Sequence, residues 1–209
     1  MTWQEPPQPM ASMAQPDPHF EPPADLASRA LPIETIAPGT ALYRLHRSDL
    51  GALHFGKTGH NRFDDPQSIF GVCYLALSLE GAFAETCLRA VGATLLSYTF
   101  LAGRSVTTVV AARTLRLVSL HGPGLAAVGA TSIISSGLHA TAQAWSRALH
   151  DHSDAPDGLS YRANHDNGEH CIALFEHTAD ALSETANDPL TADRKRLGVL
   201  LDRYKVSLG

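Results

Sequence analysis

The sequence predicts an α+β domain in which mixed central sheets are flanked by helices, and three observations carry that prediction. Short apolar runs rich in β-branched residues, which are typical of strands, recur along the chain. Other, longer segments carry apolar residues at helical spacing. The two kinds of segment follow one another without the regular alternation of a parallel α/β fold. The 209 residues are 44% hydrophobic, which is enough for one domain with a sizeable core.

The predicted strands differ in how they are buried. Leu42–His46 alternates between two faces, with Arg44 and His46 on the same one. Val72–Leu77 and Cys171–Phe175 are continuous apolar runs, which are typical of buried strands. The remaining predicted strands are Leu95–Leu101, Val106–Val110, Leu115–Leu120 and Leu159–Arg162.

Three helices and two connections complete the prediction. Ser78 is a suitable cap for a helix over Leu79–Val91. Leu138–His150 and Thr191–Val206 are predicted to be amphipathic helices, the second with a basic surface. A glycine-rich polar loop precedes Phe70, and Gly122-Pro123-Gly124 predicts a turn.

The first 38 residues differ in composition, so we divide the chain into a proline-rich arm, residues 1–38, and a domain, residues 39–209, that ends in the C-terminal helix. The arm holds nine of the 13 prolines. Proline removes a backbone donor and disrupts helix and sheet interiors, so we expect the arm to be extended or disordered by itself. It either remains a loose tail or docks on a surface through large apolar residues, namely Trp3, Met10, Met13 and Phe20.

Composition and motifs exclude several classes of protein. A net charge of −5 argues against a nucleic-acid surface, which usually has a basic footprint. No apolar stretch reaches the about 18 residues of a membrane helix, and no signal peptide is recognisable. No C-x-x-C pair indicates zinc, and neither a phosphate-cradling glycine loop nor a G-x-S-x-G elbow occurs. Three cysteines in apolar runs, Cys73, Cys87 and Cys171, are typical of reduced thiols, so we expect a soluble cytoplasmic protein.

The segment from Arg44 to Arg62 reverses the acidic charge of the whole chain. The segment contains four cationic side chains but only one carboxylate, that of Asp49, and three histidines lie among them. The cations are Arg44, Arg47, Lys57 and Arg62, and the histidines are His46, His54 and His60. Because arginine forks match phosphate oxygens bidentately, this segment predicts a small anionic ligand.

Each polar candidate also has an ordinary structural interpretation, and the residues alone leave both open. Arg44, in an otherwise apolar strand, either binds a ligand or forms a salt bridge with a carboxylate such as Glu85. Arg62 lies in a polar loop, where most arginines are simply solvated. Tyr74 is otherwise a core tyrosine, and Glu85 is otherwise the helix ion-pair partner of Arg89.

The order and spacing of these segments resemble the RES domain family, named for a characteristic arginine, glutamate and serine, over about Thr40 to His177. The matching segments are Tyr43–His46, Arg62–Pro66, Phe70–Leu77, Ala84–Thr86, Leu115–Leu120, Ala142–Trp145, Asp157–Arg162 and Cys171–Phe175. As an ordered set they are specific. The resemblance implies a fold similar to that of ADP-ribosyltransferase toxins.

The resemblance also implies a toxin of a type II toxin–antitoxin module that consumes NAD+. Family members are described as NAD+ glycohydrolases, NAD+ phosphorylases or transferases that ADP-ribosylate a host protein. The cognate antitoxin carries a helix-turn-helix domain and occludes the active site. Neither a metal nor direct contact with nucleic acid or membrane is expected.

The residues carried over from the family divide into two roles. Glu85 is the expected catalytic carboxylate, because cleavage of the nicotinamide–ribose bond passes through an oxocarbenium-like state that a carboxylate stabilises. Tyr74 is the second expected catalytic residue and also binds NAD+ by stacking on nicotinamide. The expected diphosphate ligands are Arg44 and Arg62, and the nearby His46 and His54 complete the predicted NAD+-binding set.

One position departs from the family. A serine usually stands two residues after the tyrosine of the Asp-Gly-x-x-Tyr segment, but this chain has Ala163 there, and Asn164 replaces the usual arginine. The candidates to replace the serine are Ser160, Ser135 and Ser136. The change favours ADP-ribosyl transfer to a protein. The alternatives are NAD+ phosphorolysis or hydrolysis and, in a different class, a non-catalytic binding module on the same scaffold.

Overall fold

The protein is built on one large mixed sheet, and the computed structural model describes residues 20–88, 92 and 94–209. The strands of this sheet are β1 (Ile33–Ile36), β2 (Leu42–Arg47), β3 (Val72–Ala76), β5 (Arg104–Ala111), β6 (Leu115–Ser119), β7 (Gly158–Ala163), β8 (Asp166–Phe175) and β9 (Leu182–Pro189). Their order is β1–β6–β7–β8–β3–β2–β5–β9, and β6–β7 is the parallel pair in this otherwise antiparallel arrangement. Two short strands, β4 (Leu95–Leu96) and β10 (Ser207–Leu208), pair separately.

Helices are interspersed with the strands, which confirms the α+β prediction. They are α1 (Leu79–Cys87), α2 (Tyr98–Ala102), α3 (Pro123–Val128), α4 (Ile133–Ser136), α5 (His139–His150) and α6 (Arg194–Tyr204), with 3-10 turns at Leu26–Ser28 and Glu176–Ala181. Among the residues described, no helix combines the length and apolar character that a bilayer crossing requires.

The predicted cap at Ser78 is confirmed, and it sets the start of α1. The Ser78 hydroxyl accepts a hydrogen bond from the Gly81 amide at 2.9 Å. The helix ends at Cys87 rather than at Val91, and residues 89–91 lie outside the described part of the chain. The predicted strands Val72–Leu77 and Cys171–Phe175 are confirmed within β3 and β8.

Two predictions about local structure were wrong. Leu95–Leu101 is not one strand, because β10 offers only two residues for pairing and α2 begins at Tyr98. Gly122-Pro123-Gly124 is not merely a turn, because Pro123 is the first residue of α3, a position that suits its fixed φ and missing donor.

Two apolar clusters lie on opposite faces of the sheet, and each side chain of β3 packs against one or the other. The larger cluster includes Phe83 of α1 and Trp145 of α5. The second includes Cys73 and Leu75, so successive residues of β3 alternate between the clusters and Tyr74 contacts the larger one. Cys73, Cys87 and Cys171 are buried and are not joined to one another by disulfides, as expected for core thiols.

The described part of the predicted arm packs on the domain rather than standing apart from it. Ile33–Ile36 forms β1, which pairs with β6 along its whole length. The Trp145 indole donates a hydrogen bond to the Phe20 carbonyl at 2.7 Å. Trp3, Met10 and Met13 lie outside the described residues, so their docking stays a prediction.

The sheet opens between β2 and β3, and this opening positions the candidate site. All six residues of β2 pair with β5, but only Tyr43 pairs with β3, opposite Ala76. The two strands therefore separate beyond Tyr43. A cleft lies between them, with α1 beside it and the loop before β3 on its other side.

Candidate active site

A cavity of about 850 Å³ occupies the opening between β2 and β3. Its volume is in the range of about 300–1,000 Å³ that is typical of small-molecule sites. All the predicted site residues line it, namely Arg44, His46, His54, Arg62, Tyr74 and Glu85. The sequence prediction therefore selected residues that share one cavity, while their individual roles remain predictions.

Glu85 projects from α1 and is held by two donors from the strand β7 region. The hydroxyl of Tyr161 donates to one carboxylate oxygen at 3.2 Å, and the backbone amide of Asn164 donates to the other at 3.1 Å. Tyr161 is buried, and its pKa lies well above the usual value because of burial and the Glu85 charge. Sequence reasoning gave Tyr161 no role at the site. The predicted partner Arg89 lies outside the described residues.

Arg62 reaches the same cavity from the polar loop. Its guanidinium donates to the carbonyl of Gly137, just before α5, at 2.8 Å. Burial lowers the pKa of Arg62, and the nearby Glu85 carboxylate opposes that shift. Since arginine remains charged in proteins, Arg62 brings a partly desolvated positive charge to the cavity that Glu85 lines. It is not a simply solvated loop arginine.

The hydroxyl of Tyr74 holds the Arg62 loop. It donates to Asp64 at 2.9 Å and accepts from the Phe63 amide at 2.9 Å. Burial raises the pKa of Tyr74 well above its usual value, and the Asp64 charge adds to the shift. Tyr74 is therefore more than a core tyrosine, and its hydroxyl is engaged in this contact while the residue lines the cavity.

Asp64, which the sequence analysis did not select, is the centre of the loop. It is fully buried, and one of its oxygens accepts the Tyr74 hydrogen bond. The other oxygen accepts from the Thr58 hydroxyl at 3.0 Å and from the amide and side-chain nitrogens of Asn61, both at 3.1 Å. The four donors converge on one carboxylate and thereby define the backbone on either side of Arg62.

We expect Asp64→Asn to lower the free energy of unfolding by about 1–3 kcal/mol, because the new amide group points a donor at buried donors. Urea unfolding measures the change. Asp49→Asn is the matched control: this exposed carboxylate contacts Arg47, and its loss should leave the free energy of unfolding close to that of the wild type. Equal stability of the two variants would contradict the role given to Asp64.

Arg44 lies on the other side of the cleft. Its Nη1 donates to the carbonyls of Ala52 and His54, the latter at 3.0 Å, and lies 2.7 Å from the Cys73 sulfur. Burial raises the pKa of the Cys73 thiol to about 11, so the thiol stays protonated. The salt bridge with Glu85, one of the two interpretations of Arg44, is not formed.

The loop that Arg44 contacts lies close to β3 because of a glycine. A Cβ on Gly71 would come within 2.7 Å of the Phe55 carbonyl oxygen. The close approach lets Gly56 and Val72 exchange two backbone hydrogen bonds of 3.1 and 3.0 Å. The loop with His54 thus forms a fixed wall of the cavity.

The four cations of the positively charged segment differ in how their charges are compensated. Arg47 pairs with Asp49, and Lys57 pairs with Glu176 at 2.7 Å. Arg44 and Arg62 instead contact backbone carbonyls, and neither forms an ion pair with a carboxylate in the part of the chain that the structure describes. Carbonyl oxygens orient a guanidinium without cancelling its charge, so the cavity retains two positive charges suited to an anion.

The two predicted histidines differ. His46 is buried, and its Nδ1 lies 2.8 Å from the Arg47 carbonyl while its Nε2 lies 2.8 Å from the Thr107 hydroxyl. A carbonyl only accepts, so Nδ1 carries the proton and Nε2 accepts from Thr107, which leaves no ring nitrogen for a ligand. His54 is exposed and lines the cavity.

None of the serines proposed to replace the family serine lines the cavity. Ser160 is buried next to Tyr161 on β7 and therefore points to the opposite face of the sheet. The Ser136 hydroxyl donates to the Ser132 carbonyl in α4, and Ser135 also lies in α4 away from the lining residues. Ser97, between β4 and α2, does line the cavity and was missed.

Comparison with known proteins agrees with this architecture. Probable toxin y4kH of Sinorhizobium fredii is 31% identical over 78 residues, which are 37% of this chain and 61% of the relative, less than two thirds of its length. A chain in the crystal structure of the M. tuberculosis MbcT–MbcA toxin–antitoxin complex has the same fold, with a TM-score of 0.57 and 18% identity over 82% of this chain and 91% of that chain. The model of the RES domain matches residues 41–194. The chain belongs to the RES domain family.

Proposed function

We propose that this protein is the toxin of a toxin–antitoxin module and that it cleaves the nicotinamide–ribose bond of NAD+ in the cavity between β2 and β3. Membership of the RES domain family supports this, as do the relative named as a probable toxin and the fold shared with a chain of a toxin–antitoxin complex. We place the reaction in the cytoplasm.

The observation that carries the proposal is the distribution of charge in the cavity. Arg44 and Arg62 have no described carboxylate partner, and Glu85 is fixed by Tyr161 and Asn164. NAD+ combines a diphosphate, which two arginines suit, with a ribose carbon that becomes cationic as nicotinamide leaves.

The reaction follows from these positions. The bond between the ribose carbon C1′ and the nicotinamide nitrogen breaks, and the electron pair leaves with nicotinamide. The Glu85 carboxylate stabilises the positive charge that develops on the ribose. A nucleophile then bonds to C1′ and loses its proton, which completes transfer of ADP-ribose. Tyr74 stacks on the nicotinamide ring and fixes its tilt.

The acceptor in this proposal is a host protein. Ala163 is buried and carries no hydroxyl that could hold water or phosphate, which favours a protein as the acceptor. The second candidate is phosphorolysis or hydrolysis that depletes NAD+, for which Ser97 supplies a hydroxyl in the cavity lining.

Labelled NAD+ separates the acceptors. The purified protein is incubated with NAD+ labelled in the adenylate half, with and without lysate of a host cell, and with and without inorganic phosphate. Label on a lysate protein supports transfer. Free ADP-ribose without lysate supports hydrolysis, and a phosphorylated ADP-ribose that forms only with phosphate supports phosphorolysis. Intact NAD+ in every arm would instead support a non-catalytic binding module.

The proposed antitoxin, a helix-turn-helix protein, occludes the same cavity. Its acidic side chain or terminal carboxylate would take the place of the NAD+ phosphates between Arg44 and Arg62. The basic α6 is a weaker candidate for contact than its composition indicates, because Arg203 already pairs with Asp166 at 3.1 Å and Glu169 at 2.7 Å.

We expect bacteria that express this protein alone to stop growing, and bacteria that also express the neighbouring antitoxin gene to grow normally. Growth after induction at matched protein levels measures the difference, and a Glu85→Gln version is the control for the burden of expression. Harmless expression of the wild-type protein would contradict the toxin assignment and favour the binding module.

A further inference from the structure

A second group of polar side chains lies away from the cavity, on the part of the sheet formed by β1, β6, β7 and β8. Glu34 is on β1, His121 follows β6, and His170 is on β8. The three can each direct one ligand atom into a common space, since those atoms lie within 4.8 Å of one another. None of the three lines the cavity between β2 and β3.

The contacts within this group already bring two of the three ligands together. His121 Nε2 lies 2.9 Å from a Glu34 oxygen and 3.2 Å from the Ser119 hydroxyl. The His121 and His170 rings meet edge to face, with 4.6 Å between their centroids. All three residues are partly buried, so an ion would be shielded on one side and reachable on the other.

His170 is the residue that an ordinary salt bridge does not explain. Glu34 and His121 satisfy each other, but neither ring nitrogen of His170 has a hydrogen-bond partner in the described part of the chain. A ring whose nitrogens have no protein partner there is available to coordinate a metal ion.

A second unsatisfied group lies nearby. The Ser160 hydroxyl is fully buried and has no partner among the described residues. Ser160 is paired in register with Ser119, whose hydroxyl contacts His121, and lies on the same face of the sheet as His170. A polar, partly hydrated space at this point would satisfy both Ser160 and His170.

We propose that Glu34, His121 and His170 form a zinc site, with one coordination position left for water. Two imidazole nitrogens and one carboxylate oxygen are a ligand set that Zn²⁺ accepts, at about 2.0–2.2 Å from each atom. Tetrahedral geometry at those lengths places ligand atoms about 3.3 Å apart. The ligand atoms now lie within 4.8 Å of one another, so small side-chain rotations bring them to that distance. The Arg162 guanidinium is a nearby opposing charge, but its Nη1 is engaged with the Gly168 carbonyl at 3.0 Å.

Zinc binding would hold β1 in place on the domain. Glu34 lies on β1, an edge strand that pairs with β6 alone in this sheet. A metal shared with His121 and His170 would tie that strand to β8 as well. Zinc would therefore clamp the N-terminal segment onto the domain without touching the proposed NAD+ site.

The test uses the full-length, tag-free protein after treatment with a chelator and dialysis. ZnCl2 is titrated by calorimetry, thermal unfolding is followed with and without zinc, and CoCl2 serves as a visible-absorption probe of the ligand geometry. We expect one Zn²⁺ per chain, a higher melting temperature with zinc, and the absorption of tetrahedral Co²⁺. His170→Ala and Glu34→Gln should each weaken binding by at least about tenfold.

One control variant and one mild test variant keep the outcome decisive. His177→Ala removes a half-exposed histidine outside the group and should bind zinc like the wild type. Glu34→Gln is a mild change at a partly exposed position, so it decides the matter if His170→Ala does not fold. The absence of saturable zinc binding by the wild type, or equal binding by Glu34→Gln and the wild type, would overturn the proposal.

Discussion

Glu85→Gln is expected to slow NAD+ cleavage by about 10²–10³-fold while the protein remains folded, which is the typical cost of losing one electrostatic contact to a transition state. The substitution keeps the shape of the side chain and removes the charge that would face the ribose cation. The amide oxygen can still accept from the Asn164 backbone, and the amide nitrogen can donate to the Tyr161 oxygen, so both present neighbours keep a partner.

Release of nicotinamide, followed by chromatography, measures this effect. Glu80→Gln is the matched control, because Glu80 lies on the same helix α1 but not at the cavity. Circular dichroism and thermal unfolding verify that both variants are folded. If Glu85→Gln and Glu80→Gln both keep the wild-type rate, Glu85 is only a structural acceptor for Tyr161 and Asn164.

Arg62→Ala and Arg44→Ala should each weaken NAD+ binding by about 10- to 100-fold, the equivalent of one lost charge-assisted hydrogen bond of about 1.5–3 kcal/mol. The effects should shrink as salt rises, because ions screen the interaction with the diphosphate. Screening should be weaker for Arg62, since burial lowers its pKa and indicates a less hydrated charge.

Calorimetry at low and high salt on the Glu85→Gln background measures binding without turnover. Arg47→Ala is the control for general loss of positive charge, because Arg47 lines the same cavity but already pairs with Asp49. If Arg44→Ala destabilises the fold but its folded fraction binds NAD+ like the wild type, Arg44 only anchors the carbonyls of Ala52 and His54.

The fold was predictable where the local pattern and the tertiary environment agreed. Ser78 capped a helix because the cap is a contact between near neighbours in the chain. β3 and the end of β8 were recognisable because both faces of those strands are covered. β9 was missed because seven of its eight residues are exposed, so no apolar alternation marks it. The strand predicted at β4 was too long, because its length is set by its partner β10 at the far end of the chain.

By itself, the sequence determined the residue types that can do the chemistry and the order in which they occur, from which the RES resemblance followed. Only the tertiary structure decided which charges remain available. Arg47 and Lys57 find carboxylates, whereas Arg44 and Arg62 find carbonyls. The same holds for Glu34 on β1, His121 just after β6 and His170 on β8, which the fold brings together from distant parts of the chain. The ion pairing and desolvation of a charged side chain depend on neighbours that are distant in the chain. The local spacing of residues in the sequence therefore does not predict them.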